Sequence, residues 1–328
     1  MEELDNLIKA LPEVYQDIEL NGKLLAEGKR DCHKRWEIIK PHINPHDVIL
    51  DIGSSHGYYT KKIAREYPDS LVISFESIPE DCAVQKELLR QEGIYNVILC
   101  QHRLSAYDLE KWAKHADTFD VSLLLAVLHH FPEGEVGKAF EGFKSLSNRV
   151  ITEIPAKDEI EACGGTSKEE AFNLERGQAL GATSSHLGKY RRGIELLETD
   201  DSRMNLDAFF GVSHPDRHKF NIATSRRGTT KINGNHIIKG VNFWNLLHFN
   251  IVWPEYKWWT KQIECAYETI EVKSDVRPWN LLMTSSGVRA IDYRTKFPLG
   301  DQAEFRYDDI RKLMRLVYEM KPIDWNKL

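Results

Sequence analysis

The stretch VILDIGSSHGYYT, residues 48–60, decides the fold. Its apolar start predicts a buried strand, and the glycines at 53 and 57 predict a sharp turn before a helix that begins near Tyr58. A strand that passes through a glycine turn directly into a helix is typical of an open α/β sheet. Ligands of such sheets bind at the carboxyl ends of the strands.

The same alternation of strand and helix continues along the chain. Four further apolar runs, each predicted to be a strand, are LVISFES (71–77), NVILCQ (96–101), FDVSLLLAVL (119–128) and RVITEIP (149–155). Nearly continuous apolar strands are typical of a sheet that is buried on both faces. The sequence therefore predicts an α/β fold with a Rossmann-like, doubly wound, mostly parallel sheet.

The alternation stops after about residue 200, where tryptophans become frequent. We therefore predict one domain over residues 1–200 and a second, smaller α+β domain over residues 201–328. Within the first domain, residues 2–40 are predicted to be helical. Residues 157–185 are polar and glycine-rich, which favours a loop, lid or insertion, and residues 191–198 are predicted to return as a last strand.

Composition excludes several classes of protein. The 328 residues are 41% hydrophobic and 29% charged, which is typical of a globular chain and not of a disordered or collagen-like one. A net charge of −6 does not favour a nucleic-acid partner. The five scattered cysteines, the acidic start without a secretory signal and the lack of a transmembrane-length apolar run predict a cytoplasmic protein.

The residues of the first turn favour one class of nucleotide ligand. Asp51 stands beside the glycine turn, and Glu76 ends the second strand, where a carboxylate can accept hydrogen bonds from ribose hydroxyls. A dinucleotide-binding fold has the pattern G-x-G-x-x-G at this turn and binds a pyrophosphate there. An acidic side chain in the turn would repel that pyrophosphate. An acid attracts a sulfonium and an ammonium group. The pattern therefore favours S-adenosylmethionine (SAM) over NAD.

Three segments, VILDIGSSHGYYT (48–60), SFESIPE (74–80) and FDVSLLLAVLHHF (119–131), resemble in order the motifs of class I SAM-dependent methyltransferases. Ser55 stands where that family usually has its middle glycine. The resemblance implies a methyltransferase in which Arg35 meets the methionine carboxylate and Leu104 covers the adenine. The cofactor-binding residues that it implies are Tyr15, Arg35, Asp51, Gly53, Ser55, Gly57, Glu76, Ser77, Ile78 and Leu104. A nucleotide-binding or purely structural Rossmann-like domain is the alternative.

Two histidines follow the fourth strand, beside the expected position of the methyl acceptor. His129 or His130 can take a proton from a hydroxyl acceptor, or can position an anionic acceptor that needs no base. The alternative is a pair of ordinary turn histidines. Glu153, at the end of the fifth strand, is expected to face the same crevice.

A second group of oxygen ligands lies in KSDVRPWNLLMTSSGVRAIDY, residues 273–293. Asp275 and Asn280 are spaced D-x-x-x-x-N, and a predicted hairpin returns Asp292 beside them, which suits Mg²⁺ and a phosphate tail. The stretch resembles the catalytic and metal-binding loops of kinases. That resemblance implies that Asp275 is the base, that Asn280 and Asp292 are metal ligands, and that Lys239 contacts ATP phosphates.

The region after residue 200 is too short for a complete kinase, so we expect a shortened kinase-like domain, an inactive relic or a coincidence. A methyltransferase followed by a kinase-like domain resembles the bacterial O-antigen chain-terminating kinase–methyltransferases. The resemblance implies O-methylation of a sugar, a sugar phosphate or another small or glycan acceptor. If the acceptor is a phosphate, Arg191, Arg192 or a basic residue of the C-terminal domain is expected to hold it. Alternatives are a bifunctional enzyme that also uses ATP and Mg²⁺, and a SAM-binding module with an inactive kinase-like recognition domain.

Overall fold

The fold is described from a computed structural model. The described residues are 2–115, 119–162, 171, 173–199, 230–233, 236–246, 249–268 and 281–290. The predicted kinase-like residues Asp275, Asn280 and Asp292 lie outside these ranges, so their predicted roles stay predictions.

The elements follow one another in mixed α/β order, with two short 3₁₀ helices at Lys40–His42 and Leu128–His130. The strands are β1 Ile18–Leu20, β2 Lys23–Ala26, β3 Val48–Ile52, β4 Leu71–Glu76, β5 Val97–Gln101, β6 Phe119–Leu125, β7 Ser147–Glu153, β8 Gln178–Ser184, β9 Arg191–Glu198, β10 Thr230–Asn233, β11 His236–Lys239, β12 Val241–Asn242, β13 Ile251–Trp253, β14 Leu281–Thr284 and β15 Gly287–Ala290. The helices are α1 Glu2–Ala10, α2 Cys32–Ile39, α3 Tyr58–Glu66, α4 Pro79–Glu92, α5 Ala106–His115, α6 Val136–Leu146, α7 Lys157–Ala162, α8 Phe243–Leu246 and α9 Tyr256–Glu268.

An eight-stranded sheet forms the centre of the protein, in the order β13-β5-β4-β3-β6-β7-β9-β8. The five strands β3 to β7 are parallel to one another. Their order reverses direction at β3, so the carboxyl ends of β3 and β6 lie side by side, the position at which open α/β sheets bind ligands. The predicted doubly wound, mostly parallel sheet is confirmed.

Apolar side chains cover both faces of this sheet, because alternate residues of a buried strand point to opposite faces. On one face Leu50, Ile73 and Ile98 pack with residues of α5 and α6. On the other face Ile49 and Val72 pack with residues of α2, α3 and α4. The two-sided burial explains why the strand sequences lack a polar position at every second residue.

Strand β13, from the region after residue 200, belongs to the central sheet. It pairs antiparallel with β5, with Ile251 opposite Cys100 and Trp253 opposite Leu99. The Trp253 side chain is 1% exposed, and its Nε1 donates to the Ile94 carbonyl at 2.9 Å. The predicted boundary near residue 200 stays a prediction, but the sheet itself extends across it.

The first 40 residues differ from the helical prediction. Between α1 and α2 the chain forms an antiparallel hairpin of β1 and β2. Asn21 and Gly22 make its turn with φ of 51° and 79°. Asn-Gly is the strongest short hairpin signal because both central residues of the turn need positive φ, so the sequence did contain the sign of this hairpin.

The polar stretch 157–185 is also more regular than the predicted loop. It contains α7 and β8, and β8 pairs antiparallel with β9 along its length. The strand lies at the edge of the sheet in the described part of the chain, and six of its seven residues are at least partly exposed, which explains their polar character. Strand β9, Arg191–Glu198, confirms the predicted last strand.

Two smaller sheets lie in the region after residue 200. Strands β10 and β11 form a hairpin that ends at Lys239, and β12, β14 and β15 form a three-stranded antiparallel sheet. The hairpin predicted before Asp292 is therefore present as β14 and β15. Among the described helices, none combines the length and the apolar character needed to cross a bilayer.

Replacing Trp253 by alanine tests the integration of β13 into the sheet. Because this fully buried side chain packs on β5 and donates to Ile94, Trp253→Ala should lower the free energy of unfolding by about 3–5 kcal/mol. Denaturant unfolding followed by circular dichroism measures the loss. Tyr107→Ala, at a tyrosine that is 55% exposed, is the control and should cost much less. Equal, small losses in both variants would show that β13 is not part of the core.

Candidate cofactor site

The turn between β3 and α3 has a left-handed backbone at three of its residues. Gly53, Ser55 and Gly57 have φ of 64°, 53° and 80°. The Gly53 and Ser54 N–H groups both donate to the Phe75 carbonyl, at 2.8 and 3.1 Å, which ties the turn to the end of β4. The positive φ explains why a glycine is usual where this chain has Ser55, since a side chain at such an angle is strained.

Space is also restricted at the two glycines. A Cβ atom built on Gly53 would lie 3.0 Å from Val127 Cγ2, in the segment after β6. A Cβ on Gly57 would lie 2.5 Å from Gln85 Cγ on α4, closer than real side chains come. Gly57 therefore needs glycine for room as well as for backbone angle, whereas a side chain at Gly53 would press on Val127.

Glu76 holds this turn and the next one together. Its Oε2 accepts from the Ser55 N–H at 2.7 Å, and its Oε1 accepts from the N–H groups of Ser77 and Ile78 at 2.6 and 2.9 Å. Its own carbonyl accepts from the His102 N–H at 2.9 Å. Burial raises the pKa of Glu76, and the N–H donors of Ile78, Ser55 and Ser77 oppose that shift by stabilising the carboxylate.

Asp51 lies at the carboxyl end of β3 and is 3% exposed. Its Oδ2 accepts from Thr60 Oγ1 at 2.5 Å, on the first turn of α3. Burial raises the pKa of Asp51 to about 6, and the hydrogen bond from Thr60 lowers it only in part. Glu76 raises this pKa further, whereas Arg35 lowers it. The carboxyl group therefore changes its charge near neutral pH.

These residues fit the chemistry of SAM. The positive φ at Gly53 gives a turn without a side chain, where the backbone can approach a ligand closely. Oε2 of Glu76 accepts one main-chain N–H, which leaves its second lone pair for a ribose hydroxyl. Two buried carboxylates, Asp51 and Glu76, supply negative charge for a cationic ligand.

Arg35 lies in a buried ion pair at the end of β7. Its Nη2 donates to Glu153 Oε2, and Nη2 of Arg30 donates to Oε1 of the same carboxylate at 2.7 Å. The three side chains are at most 1% exposed. Glu153, expected to face the crevice, is thus enclosed by two arginines. Sequence reasoning missed Arg30, because nothing local marks it as a partner of a residue 123 positions away.

A second ion pair lies next to the first. Arg192 binds Glu159 with two hydrogen bonds of 2.9 and 2.7 Å, and its Nη1 donates to the Tyr15 hydroxyl at 3.4 Å. Arg192 is 4% exposed, so the structure does not present it at the surface. Arg191 is exposed and donates to the Ala182 carbonyl at 3.3 Å. Tyr15 is thus joined through Arg192 to β9 and α7.

The chain around Tyr15 crosses the glycine turn. The Gln16 N–H donates to His56 Nδ1 at 3.4 Å, and Gln16 Oε1 accepts from the Tyr58 N–H at 3.0 Å, which satisfies a free donor at the start of α3. His56 Nε2 lies 3.2 Å from Asp81 Oδ1. Sequence analysis did not assign a role to Gln16, because contacts across 40 residues leave no local pattern.

The remaining predicted residues lie around this site or outside the described side chains. Ser77 and Ile78 are exposed, Ile78 by 46%, and Leu104 is buried at 5% exposure. His129 and His130 form the 3₁₀ helix after β6 with their ring centres 4.0 Å apart, and His130 is the more exposed. Lys239 is described only as the last residue of β11.

No cluster of three histidine, cysteine or acidic side chains that could hold a metal ion occurs in the described part of the chain.

Comparison with known proteins supports the assignment of the first motifs. Residues 49–148 match the family model described as a methyltransferase domain. This part of the chain is therefore similar to a methyltransferase domain, in agreement with the sequence prediction.

Two curated relatives from Escherichia coli, each named O-antigen chain terminator bifunctional methyltransferase/kinase WbdD, are 24% identical over 211 residues. The matched part is 60% of this chain and only 29% of the relatives' length.

Solved structures with a similar arrangement include the bifunctional kinase-methyltransferase WbdD, with 15% identity and a TM-score of 0.49 over 99% of this chain and 96% of that one. The N-terminal domain of EvdMO1 with SAH bound is 16% identical, with a TM-score of 0.45 over 61% of this chain and 96% of that one.

The pH dependence of stability tests the buried state of Asp51. A raised pKa means that the folded state holds this proton more tightly than the unfolded state, so the contribution of Asp51 to stability falls as pH rises from about 4 to 6. Asp51→Asn removes the ionisation. The variant should gain up to about 3 kcal/mol on the wild type between pH 4 and pH 7. Urea unfolding at several pH values measures this difference.

Asp69→Asn makes the same substitution at an exposed aspartate in the turn before β4 and is the matched control, unfolded at the same pH values. A difference for Asp51→Asn that is constant with pH would contradict the burial of a titrating carboxyl group.

Proposed function

We propose, from the premise that residues 49–148 form a SAM-dependent methyltransferase domain, that this chain methylates an oxygen atom of a sugar, a sugar phosphate or another small or glycan acceptor. The observation that carries the cofactor assignment is Glu76, whose carboxylate is bonded to the glycine turn on one side and to the following turn on the other. This arrangement supports a ribose site between the ends of β3 and β4.

SAM supplies a methyl group on a sulfonium, which is already activated for transfer. The protein therefore mainly aligns the two reactants and excludes water. Asp51 and Glu76 are buried beneath the site and favour a cationic ligand. The segment around Gln16, bonded to His56 and to the Tyr58 N–H, covers the turn and limits the access of water from that side.

The acceptor is expected at the carboxyl end of β6, where His129 and His130 stand in one short helix. A neutral hydroxyl must lose its proton as the methyl group arrives, and a histidine can take that proton near neutral pH. A phosphate or carboxylate oxygen needs no base, and the same histidines would then hold the acceptor. The Arg103 guanidinium donates to the His130 carbonyl at 2.8 Å and fixes this helix.

The proposed class of acceptor draws support from the named relatives, which are O-antigen chain terminators. The match covers 29% of the relatives' length, so a complete activity like theirs is only a proposal for this chain. The alternative is a bifunctional kinase–methyltransferase, which would also bind ATP and Mg²⁺. The hairpin β14–β15 is compatible with it, and the roles of Lys239, Asp275, Asn280 and Asp292 stay predictions.

A transfer assay with methyl-labelled SAM tests the proposed acceptor class. Purified protein is incubated with mono- and oligosaccharides and with their phosphate esters, and the labelled product is analysed for the methylated atom. We expect methyl–oxygen bond formation on at least one carbohydrate. For a hydroxyl acceptor, replacement of the catalytic base, His129→Gln or His130→Gln, should lower the rate roughly 10²–10⁴-fold without weakening cofactor binding.

His33→Gln, at an exposed histidine on α2, is the matched control and should keep the wild-type rate. For a phosphate acceptor, the histidine variants should raise KM more than they lower kcat. Methylation of nitrogen or carbon only, or no transfer to any carbohydrate by protein that binds SAM, would contradict the proposed acceptor class.

A further inference from the structure

Phe249 joins the region after residue 200 to the edge of the proposed cofactor site. It lies between α8 and β13 and is 6% exposed. Its ring centre is 4.9 Å from that of Phe75 at 90°, 5.2 Å from His102 at 60° and 5.0 Å from Trp112 at 45°. Edge-to-face and tilted contacts of this kind add to the effect of apolar burial and fix ring orientation.

The partners of Phe249 flank Glu76. Phe75 is the residue before Glu76, and its carbonyl accepts the two N–H groups of the glycine turn. His102 follows β5, and its N–H donates to the Glu76 carbonyl at 2.9 Å. Next to Phe249, the Asn250 carbonyl accepts from the Gln101 N–H at 2.8 Å. Residues 249 and 250 therefore contact both chain segments that carry the proposed ribose and adenine contacts.

The same segment is continuous with the small sheet of the C-terminal region. Strand β12 pairs with β14, with Val241 opposite Met283 and Asn242 opposite Leu282. From β12 the chain passes through α8 to Phe249 and then into β13. The buried cluster that contains Phe75 and Leu104 also includes residues of β12, α8 and β14, namely Val241, Phe243, Leu246, Leu281 and Met283. The small sheet and the strand ends beside Glu76 therefore share one hydrophobic core.

We propose that Phe249 is a positioning residue of the cofactor site: it holds His102, and through it the segment that ends at Leu104, in place beside Glu76. The inference rests on the proposed use of SAM. It means that cofactor affinity depends on a residue about 100 positions beyond the matched methyltransferase segment, so the region after residue 200 contributes to the first site.

Calorimetric titration with S-adenosylhomocysteine (SAH) tests the proposal in the full-length protein. Phe249→Ala should weaken SAH binding roughly tenfold or more, because His102 and the segment after it are no longer held in place. The stoichiometry should stay near one, because the fraction of folded protein does not change. Phe249→Leu keeps most of the buried volume but removes the ring contacts with His102. It should give an intermediate affinity, and it keeps the test decisive if the alanine variant does not fold.

Phe243→Ala is the matched control, because Phe243 is fully buried in the same region and contacts Trp259, not His102. It should lower the melting temperature but leave the dissociation constant for SAH within about twofold of the wild type. Wild-type affinity in both Phe249 variants, or the same weakening in Phe243→Ala, would overturn the positioning role. Failure of the unmodified protein to bind SAH would instead reject the proposed function.

Discussion

The carboxylate of Glu76 is the interaction on which the proposed site depends. It accepts main-chain N–H groups from Ser55 on one side and from Ser77 and Ile78 on the other, so a single side chain sets the distance between two turns. Burial of a carboxylate is costly unless hydrogen bonds compensate it, and these three donors offset part of that cost. A charged group held in this way is already oriented for a ligand hydroxyl, with no reorganisation needed on binding.

Other buried charged side chains near the site are also held in place by their partners. Arg30 and Arg35 share Glu153 at the end of β7, and Arg192 on β9 binds Glu159, so all three buried arginines are held by carboxylates. Paired charges of this kind contribute little net stability, because desolvation offsets their attraction. Their effect is to fix the segments around Tyr15 and β7 in one position. Among the described residues no arginine forms an ion pair with Asp51, and burial raises its pKa to about 6 although Arg35 lowers it in part.

The strands of the parallel sheet and the turn at Gly53 could be predicted from the sequence, because apolar runs and glycine turns are local patterns. The Asn21–Gly22 pair is also a local pattern, and it indicates the hairpin that the helical prediction left out.

Strand β8 could not be predicted in the same way, since a polar edge strand resembles a loop until its partner is known. Strand β13 has only three residues and so a weak local signal, and its place beside β5 depends on pairing across about 150 residues. The same limit applies to Arg30 and Phe249, whose partners are distant in sequence. The chemistry of Asp51 and Glu76 could be argued from residue type, whereas their hydrogen bonds required the fold.

The most direct test of the central claim is calorimetric binding of SAM to the unmodified protein and to Glu76→Ala, with Glu80→Ala, at an exposed glutamate on α4, as the control. If Glu76 joins the glycine turn to a ribose site, the unmodified protein and Glu80→Ala bind SAM with one site per chain. Glu76→Ala then shows no measurable binding while its circular dichroism spectrum stays that of the folded protein. Equal affinity for SAM in all three proteins would contradict the account.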